Sequence, residues 1–260
     1  MGIINITPDS FSGDGLDSNI DKIVDQALRF ESEGADLIDM GAESTRPGHT
    51  AVNQADEINR LLPAVSAVAQ KVNIPISIDT YKSEVARQCL NTGASIINDI
   101  WGGIADPEIL SVAAQQQAPI VLMHNDRSPN YEDVVSDVIN SLEKCKDQAI
   151  KTGIPNTEII LDPGIGFAKT AENNLEILNR LAEFRVLGSP LLIGTSRKST
   201  IGRILELPVE ARIEGTAATI ALSIACGADI IRVHDVREMI RVSKMSDAII
   251  RNWRPVNWTD

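Results

Sequence analysis

The segments GADLID (34–39), GASIIND (93–99) and GADIIRV (227–233) decide the fold. Each begins with glycine, the residue that ends a helix in a left-handed turn, and runs straight into a short apolar stretch. The glycines lie 59 and 134 residues apart, close to two and four units of about 30 residues, the size of one strand-helix unit. Outward from these anchors, short runs rich in Ile, Val and Leu recur at 3–6, 36–40, 75–78, 95–98, 120–123, 158–161, 191–194 and 229–233. Apolar residues at helical spacing fill the intervals 20–34, 55–72, 81–93, 107–117, 131–153, 173–184, 212–227 and 236–253, and a further short helix is expected after SRKST (196–200). Alternation of this kind along the whole chain implies a parallel sheet. Eight units in 260 residues predict an α/β fold, a (β/α)8 TIM barrel, formed as one domain over 1–260. A doubly wound sheet usually has fewer strands and a GxGxxG turn after the first, and neither that turn nor a Walker A sequence follows any strand here.

Bulk composition narrows the function. The chain is 43% hydrophobic, 3% aromatic and 23% charged, which describes a globular core of Ile, Val, Leu and Ala. A formal charge of −12 argues against sequence-independent binding to nucleic acid or to an anionic membrane surface, because both need a basic face, and leaves room for a local basic pocket. Cys89, Cys145 and Cys226 are odd in number and far apart, so neither a disulfide framework nor a CxxC metal site is expected; a reducing cytoplasm suits them. No apolar run reaches the roughly 18 residues of a membrane span, and no secretory signal is read at the N-terminus.

In a barrel the chemistry stands where strands end, and here every apolar run ends on polar residues: Asn5; Glu43 with Ser44, Thr45 and Arg46; Asp79; Asn98; His124; Asp162; Ser196, Arg197 and Lys198; Arg232 with His234. At any single position, loop or helix-cap chemistry explains a polar residue equally well. All eight ends being polar favours a shared mouth. Asp79, Asn98 and Asp162 suit a planar heterocycle with amino, N–H and carbonyl groups, whereas Arg46, Lys198 and Arg232 suit a phosphorylated or carboxylated group. Together they describe an anionic ligand with a polar ring. His124 reads as a satisfied core or loop histidine, His49 as a surface one, and Lys169, Arg197, Arg203 and Arg212 as solvated or packing side chains.

MGIINITPDSFSGDG (1–15), GAESTRPG (41–48), SIDT, IINDI, VLMH, LDPGIGFAKT, GTSRKSTIGRIL and IIRVHDV follow one another in an order that resembles the dihydropteroate synthase family nearly end to end. The resemblance implies a (β/α)8 fold and a cytoplasmic transferase of folate biosynthesis. Such an enzyme joins p-aminobenzoate to 6-hydroxymethyl-7,8-dihydropterin pyrophosphate, releases pyrophosphate and uses Mg2+. It further implies that Asp79, Asn98, Asp162 and Lys198 hold the pterin ring, that Asn5 serves Mg2+ and the pyrophosphate, and that Arg232 and His234 meet the phosphates. Thr45, Arg46, Pro47, Phe167 and Ser199 would then shape the p-aminobenzoate site, and PDSFSGDG would be a lid whose Asp14 caps the developing cation. The lid reads SFSGDG where many members read SFSDGG. A homodimer through outer helices is the assembly the family suggests. Two other readings share the ring contacts: a pterin-barrel methyltransferase, which has no need of the phosphate-directed SRKS and RVHD residues, and a paralogue that binds pterin without turnover. Phosphate-binding aldolase or isomerase barrels fit the motifs least.

Overall fold

A computed structural model describes residues 1–6, 19–43 and 52–259. Its strands and helices alternate as the sequence predicts: β1 (Gly2–Asn5), α1 (Ile20–Glu33), β2 (Ile38–Gly41), α2 (Gln54–Ala69), β3 (Ile76–Asp79), α3 (Ser83–Thr92), β4 (Ile96–Asp99), α4 (Glu108–Gln116), β5 (Ile120–Met123), α5 (Val134–Thr152), β6 (Ile159–Asp162), α6 (Ala171–Asn179), β7 (Leu192–Ile193), α7 (Ser199–Leu205), α8 (Ile213–Ala225), β8 (Ile230–Ile231) and α9 (Val236–Ile250). Strands β1 to β6 pair in parallel in chain order, and β7 pairs with β8. Parallel bridges Leu161↔Leu191 and Gly2↔Val233 join the two sheets on either side. Amides reinforce both seams, Leu161 N donating to Pro190 O at 2.9 Å and Ile3 N to Val233 O at 2.9 Å. The eight strands therefore form a ring, the (β/α)8 barrel.

The strand runs are continuously apolar because both faces are covered, and the period-two alternation sorts their residues. The outer set, with Ile4, Ile38, Met40, Ile76 and Ile78 on one side of the barrel and Ile97, Ile120, Leu122, Ile159, Leu161 and Ile193 on the other, packs against the helices in two large buried clusters. The inner set changes character along the axis. Met1, Val121 and Leu192, with Leu37, Ile160 and Ile230, fill the bottom of the barrel as an apolar plug. One step further along the same face stand Asp39, Ser77, Asp79, Asn98, Asp162 and Arg232. Burial of this polar layer is tolerable only through mutual pairing, which is what the site shows.

Glycine 34, 93 and 227, the anchors of the sequence reading, end their helices at φ +98°, +128° and +108°, a backbone region that glycine enters without steric cost. One helical expectation fails. The interval 173–184 does not continue as a single helix: α6 stops at Asn179, and Leu181–Leu187 forms a tighter 3-10 segment. Arg180 turns the chain there, donating to Asp133, Glu176 and Glu183 at 2.8 to 2.9 Å.

A cavity of about 410 Å³ lies at the bottom of the barrel, lined by Ile224, Ile231, Val236, Met239 and neighbouring residues of α8 and α9. It lies at the end opposite the polar layer and shares none of the polar strand-end residues.

Candidate active site

At the centre of the polar layer is a carboxylate that the strand-end reading passed over. Asp39 on β2 is fully buried and accepts three hydrogen bonds: from Ser77 Oγ at 2.6 Å, Asn98 Nδ2 at 3.0 Å and Arg232 Nε at 2.6 Å. The other arm of the same guanidinium reaches Asp79, Nη2 to Oδ2 at 2.6 Å. Five residues from β2, β3, β4 and the end of β8, Asp39, Ser77, Asp79, Asn98 and Arg232, thus form one network. Asp39 lies one step inside its strand, and only the inward face of the alternation would have singled it out.

Electrostatics follow from that crowding. Burial, the largest influence, pushes Asp79 up to about 7; Arg232 pulls it down, and Asp39 nearby raises it further. Burial likewise raises Asp162, against the pull of Lys198 and of the Gly164 amide, which donates to its Oδ1 at 2.7 Å. Desolvation would lower Arg232, but the two carboxylates outweigh it and hold the guanidinium above its ordinary range. Lys198 is brought down to about 8, chiefly by desolvation, with Asp162 opposing and Arg232 adding to the fall. Neither Asp79 nor Asp162 caps a helix: the first amide of α3 donates to Asp106, α6 is capped by Thr170, and both carboxylates belong to the interior instead.

Lys198 follows β7 and donates to the carbonyl of Ile165; its ammonium lies 4.8 Å from the centre of the Phe167 ring. This brings two predicted residues, Lys198 and Phe167, together across the β6 and β7 loops. His234 Nδ1 is 2.9 Å from Ser196 Oγ, which also accepts from the His234 amide at 3.2 Å. Ser199 is exposed at the first position of α7, and Asn5 is half-buried at the last position of β1. Asp14, Thr45, Arg46 and Pro47 lie outside the described residues.

Close approach is provided by glycine. A Cβ on Gly41 would sit 3.2 Å from Asp79 Cβ, and one on Gly194 would stand 3.9 Å from Lys198 Nζ, so side chains there would narrow the mouth.

The four basic residues read as solvated or packing divide. Arg203 is exposed as expected, and Arg212 packs through hydrogen bonds to the carbonyls of Leu207 and Arg197. Arg197, at φ +57°, forms a two-pronged pair with Asp235. Lys169 is neither solvated nor simply packed: desolvation brings it down to about 7, and it donates to His124 Nδ1 at 2.8 Å and to Phe167 O at 3.1 Å. His124 itself is buried, as expected of a satisfied histidine.

Lys82 was not singled out in the sequence, yet it ties together three elements. Its ammonium donates to Glu43, to Glu57 on α2 at 2.5 Å and to the Val52 carbonyl at 2.8 Å. Glu43 and Val52 flank residues 44–51, so one buried cation holds both ends of that segment.

The strand-end layer, with paired carboxylates and an amide at the centre and cations at the rim, defines a barrel that recognises a polar ring with an anionic appendage. The model of the pterin binding enzyme family matches residues 1–234, and the chain belongs to that family. Its relatives include the dihydropteroate synthase of Bacillus subtilis (strain 168), 48% identical over 250 residues that cover 96% of this chain and 88% of the relative. Among solved structures, dihydropteroate synthase from Clostridium difficile in the presence of pteroic acid superposes with a TM-score of 0.92 at 44% identity, covering 96% of each chain. Xanthomonas albilineans dihydropteroate synthase with 4-aminobenzoic acid gives a TM-score of 0.91 at 38% identity, covering 98% of this chain and 93% of that one.

Proposed function

We propose that the chain is a dihydropteroate synthase, acting as one domain over 1–260, that condenses 6-hydroxymethyl-7,8-dihydropterin pyrophosphate with p-aminobenzoate. The observation that carries this reading is the inner polar layer of Asp39, Asp79, Asn98, Asp162 and Arg232, with Lys198 at its rim. Asp79, Asn98, Asp162 and Lys198 hold the pterin ring through its N–H, amino and carbonyl groups. In the reaction the bond from the pterin methylene carbon to the pyrophosphate oxygen breaks, and the arylamine nitrogen forms a bond to that carbon and loses a proton. Positive charge develops on the methylene and negative charge on the leaving group. Arg232 and His234 stabilise the second, and the acidic residue of the first loop, Asp14, stabilises the first. Phe167, Ser199 and the second-loop residues Thr45, Arg46 and Pro47 receive p-aminobenzoate.

Mg2+ is part of the proposal. It is a hard cation that takes oxygen ligands and commonly binds through one or two protein groups plus substrate phosphates. Asn5, a side-chain amide at the end of β1, fits that role as a single protein oxygen beside the pyrophosphate; among the described residues no cluster of His, Cys, Asp and Glu forms a separate metal cage. Bound there, the ion would neutralise charge on the departing pyrophosphate.

Assembly as a homodimer is supported by large apolar side chains left open on α8 and α9, Leu222 at 65%, Met245 at 61% and Ile249 at 65% exposure. Sedimentation velocity tests it, and a monomer at micromolar concentration would refute it. The free thiols of Cys89, Cys145 and Cys226 suit a reducing compartment such as the cytoplasm.

The decisive experiment measures pyrophosphate release with Mg2+, with and without p-aminobenzoate, and identifies the product by mass. Release that depends on p-aminobenzoate and yields dihydropteroate is the expected result; pterin binding without product would leave a binding protein. Lys198→Ala should lower turnover on the order of 10²–10³-fold, the usual loss of one pre-organised charge, and normal turnover would overturn its assignment.

A further inference from the structure

The loop that follows β6, residues 163–170, carries Phe167 and is fastened at several points. Gly164, at φ +71°, lies so close to the next strand that a Cβ would fall 2.0 Å from the His124 carbonyl oxygen. The Gly166 amide donates to Asn174 Oδ1 at 2.8 Å, and the Ala168 carbonyl accepts from Tyr131 Oη at 3.1 Å. Lys198 takes the Ile165 carbonyl from the β7 side. The remaining tie is Lys169, whose ammonium reaches the imidazole of His124 at the end of β5 and the carbonyl of Phe167.

That tie is chemically unusual. As an ammonium Lys169 has only hydrogens to give, so in that form His124 Nδ1 is the acceptor and the ring proton sits on Nε2. Desolvation, with Lys169 beside it, lowers His124 to about 4, which is consistent with a neutral ring. A desolvated lysine serving an imidazole and a carbonyl is a costly way to fill space, and an apolar side chain would pack there more cheaply. The cost is explained by what the lysine holds. Phe167 O fixes the backbone of the residue whose ring lies against Lys198, while Asp39, Asp79, Asn98 and Arg232 are held by one another on the far side of the barrel.

We propose that Lys169, acting with His124, is a positioning residue that sets the Phe167 ring for the p-aminobenzoate half of the reaction. The proposal rests on the synthase reading above. Lys169→Met should raise KM for p-aminobenzoate about tenfold and leave KM for the pterin pyrophosphate within about threefold, the scale of loss expected when a reacting partner is misplaced by a fraction of an ångström. His124→Leu, which removes the acceptor, should give the same split. His124→Asn, which can offer its Oδ1 near the place of Nδ1, should recover most of the wild-type value. Hydrogen exchange supplies a readout independent of turnover: a peptide spanning 163–170 should exchange faster in Lys169→Met and His124→Leu than in the wild type and in His124→Asn. Parallel rises in both KM values, no change in either, or His124→Asn behaving like His124→Leu would overturn the proposal. Should the wild type make no dihydropteroate, the synthase reading falls, while unchanged exchange in 163–170 would sink the positioning role by itself.

Discussion

Asp39 shows how one residue can organise several others. Its two oxygens serve Ser77 on the neighbouring strand, Asn98 one strand further and Arg232 from the end of β8, two strands away on the opposite flank. Breaking a buried ion pair on one side leaves an uncompensated charge, so Asp39→Asn should cost about 3 kcal/mol in urea unfolding and lower kcat/KM on the order of tenfold or more through a displaced Arg232. Wild-type stability and activity together would refute the organising role. Asp79 carries a pH dependence of its own. A carboxylate accepts from ring N–H groups in its ionised form, and Asp79 is held up to about 7. Binding of the hydroxymethyl-dihydropterin ring without phosphates should therefore tighten about tenfold between pH 6 and pH 8, as the ionised fraction grows. For stability the sign is opposite: a raised carboxyl contributes stability that is full below its unfolded value and is lost as pH rises through the folded one. Calorimetry across that window checks the first effect, and Asp79→Asn should show a flat profile; a pH-independent wild type would contradict it.

Elements of secondary structure are tied to one another by a few buried side chains, and Lys82 is the clearest. Its side chain is 13% exposed and joins the end of β2, the loop before α2, and α2 itself. Desolvation alone would lower its ammonium, but the hydrogen bonds with Glu43 and Glu57 raise it overall; burial raises Glu57. Lys82→Met should destabilise the chain by about 2–3 kcal/mol at neutral pH, and by less at pH 5, because the Glu57 carboxyl, already raised by burial, takes up a proton more readily as the pH falls. Equal losses at the two pH values in chemical denaturation would argue against that origin. The turn after β6 depends on backbone geometry instead. Gly164→Ala places a methyl group inside the van der Waals shell of the His124 carbonyl at a positive φ, so a loss of about 3 kcal/mol or more is expected in the same measurement.

Ligand and fold are linked across the whole molecule, because the residues that would grip the ring come from β3, β4, β6 and the loops after β7 and β8. A ligand present at 100 times its dissociation constant adds about 2.7 kcal/mol to the folded state. At this chain length that corresponds to a rise in Tm of roughly 5–10 °C. Thermal unfolding with the pterin pyrophosphate should show that rise, and Asp162→Ala should abolish it; an undiminished shift in the variant would remove Asp162 from the site.

The repeat of glycine-ended helices before apolar strands was enough to specify eight strand-helix units and hence the barrel, since period-two and period-3.6 patterns are local properties of the chain. The strand ends were equally legible, and Asp79, Asn98, Asp162, Lys198 and Arg232 all follow from asking what stands after each apolar run. Only the tertiary structure could show what Asp39, Lys82 and Lys169 hold. Asp39 matters because strands far apart in sequence turn the same face inward. Lys82 and Lys169 look like ordinary loop lysines until packing removes their water and leaves them to find oxygen and nitrogen acceptors as far as 39 and 45 residues away. The break after Asn179 is of the same kind: helical spacing continued through it, but the chain turns at Arg180, whose side chain pairs with Asp133 at the start of α5, 47 residues away.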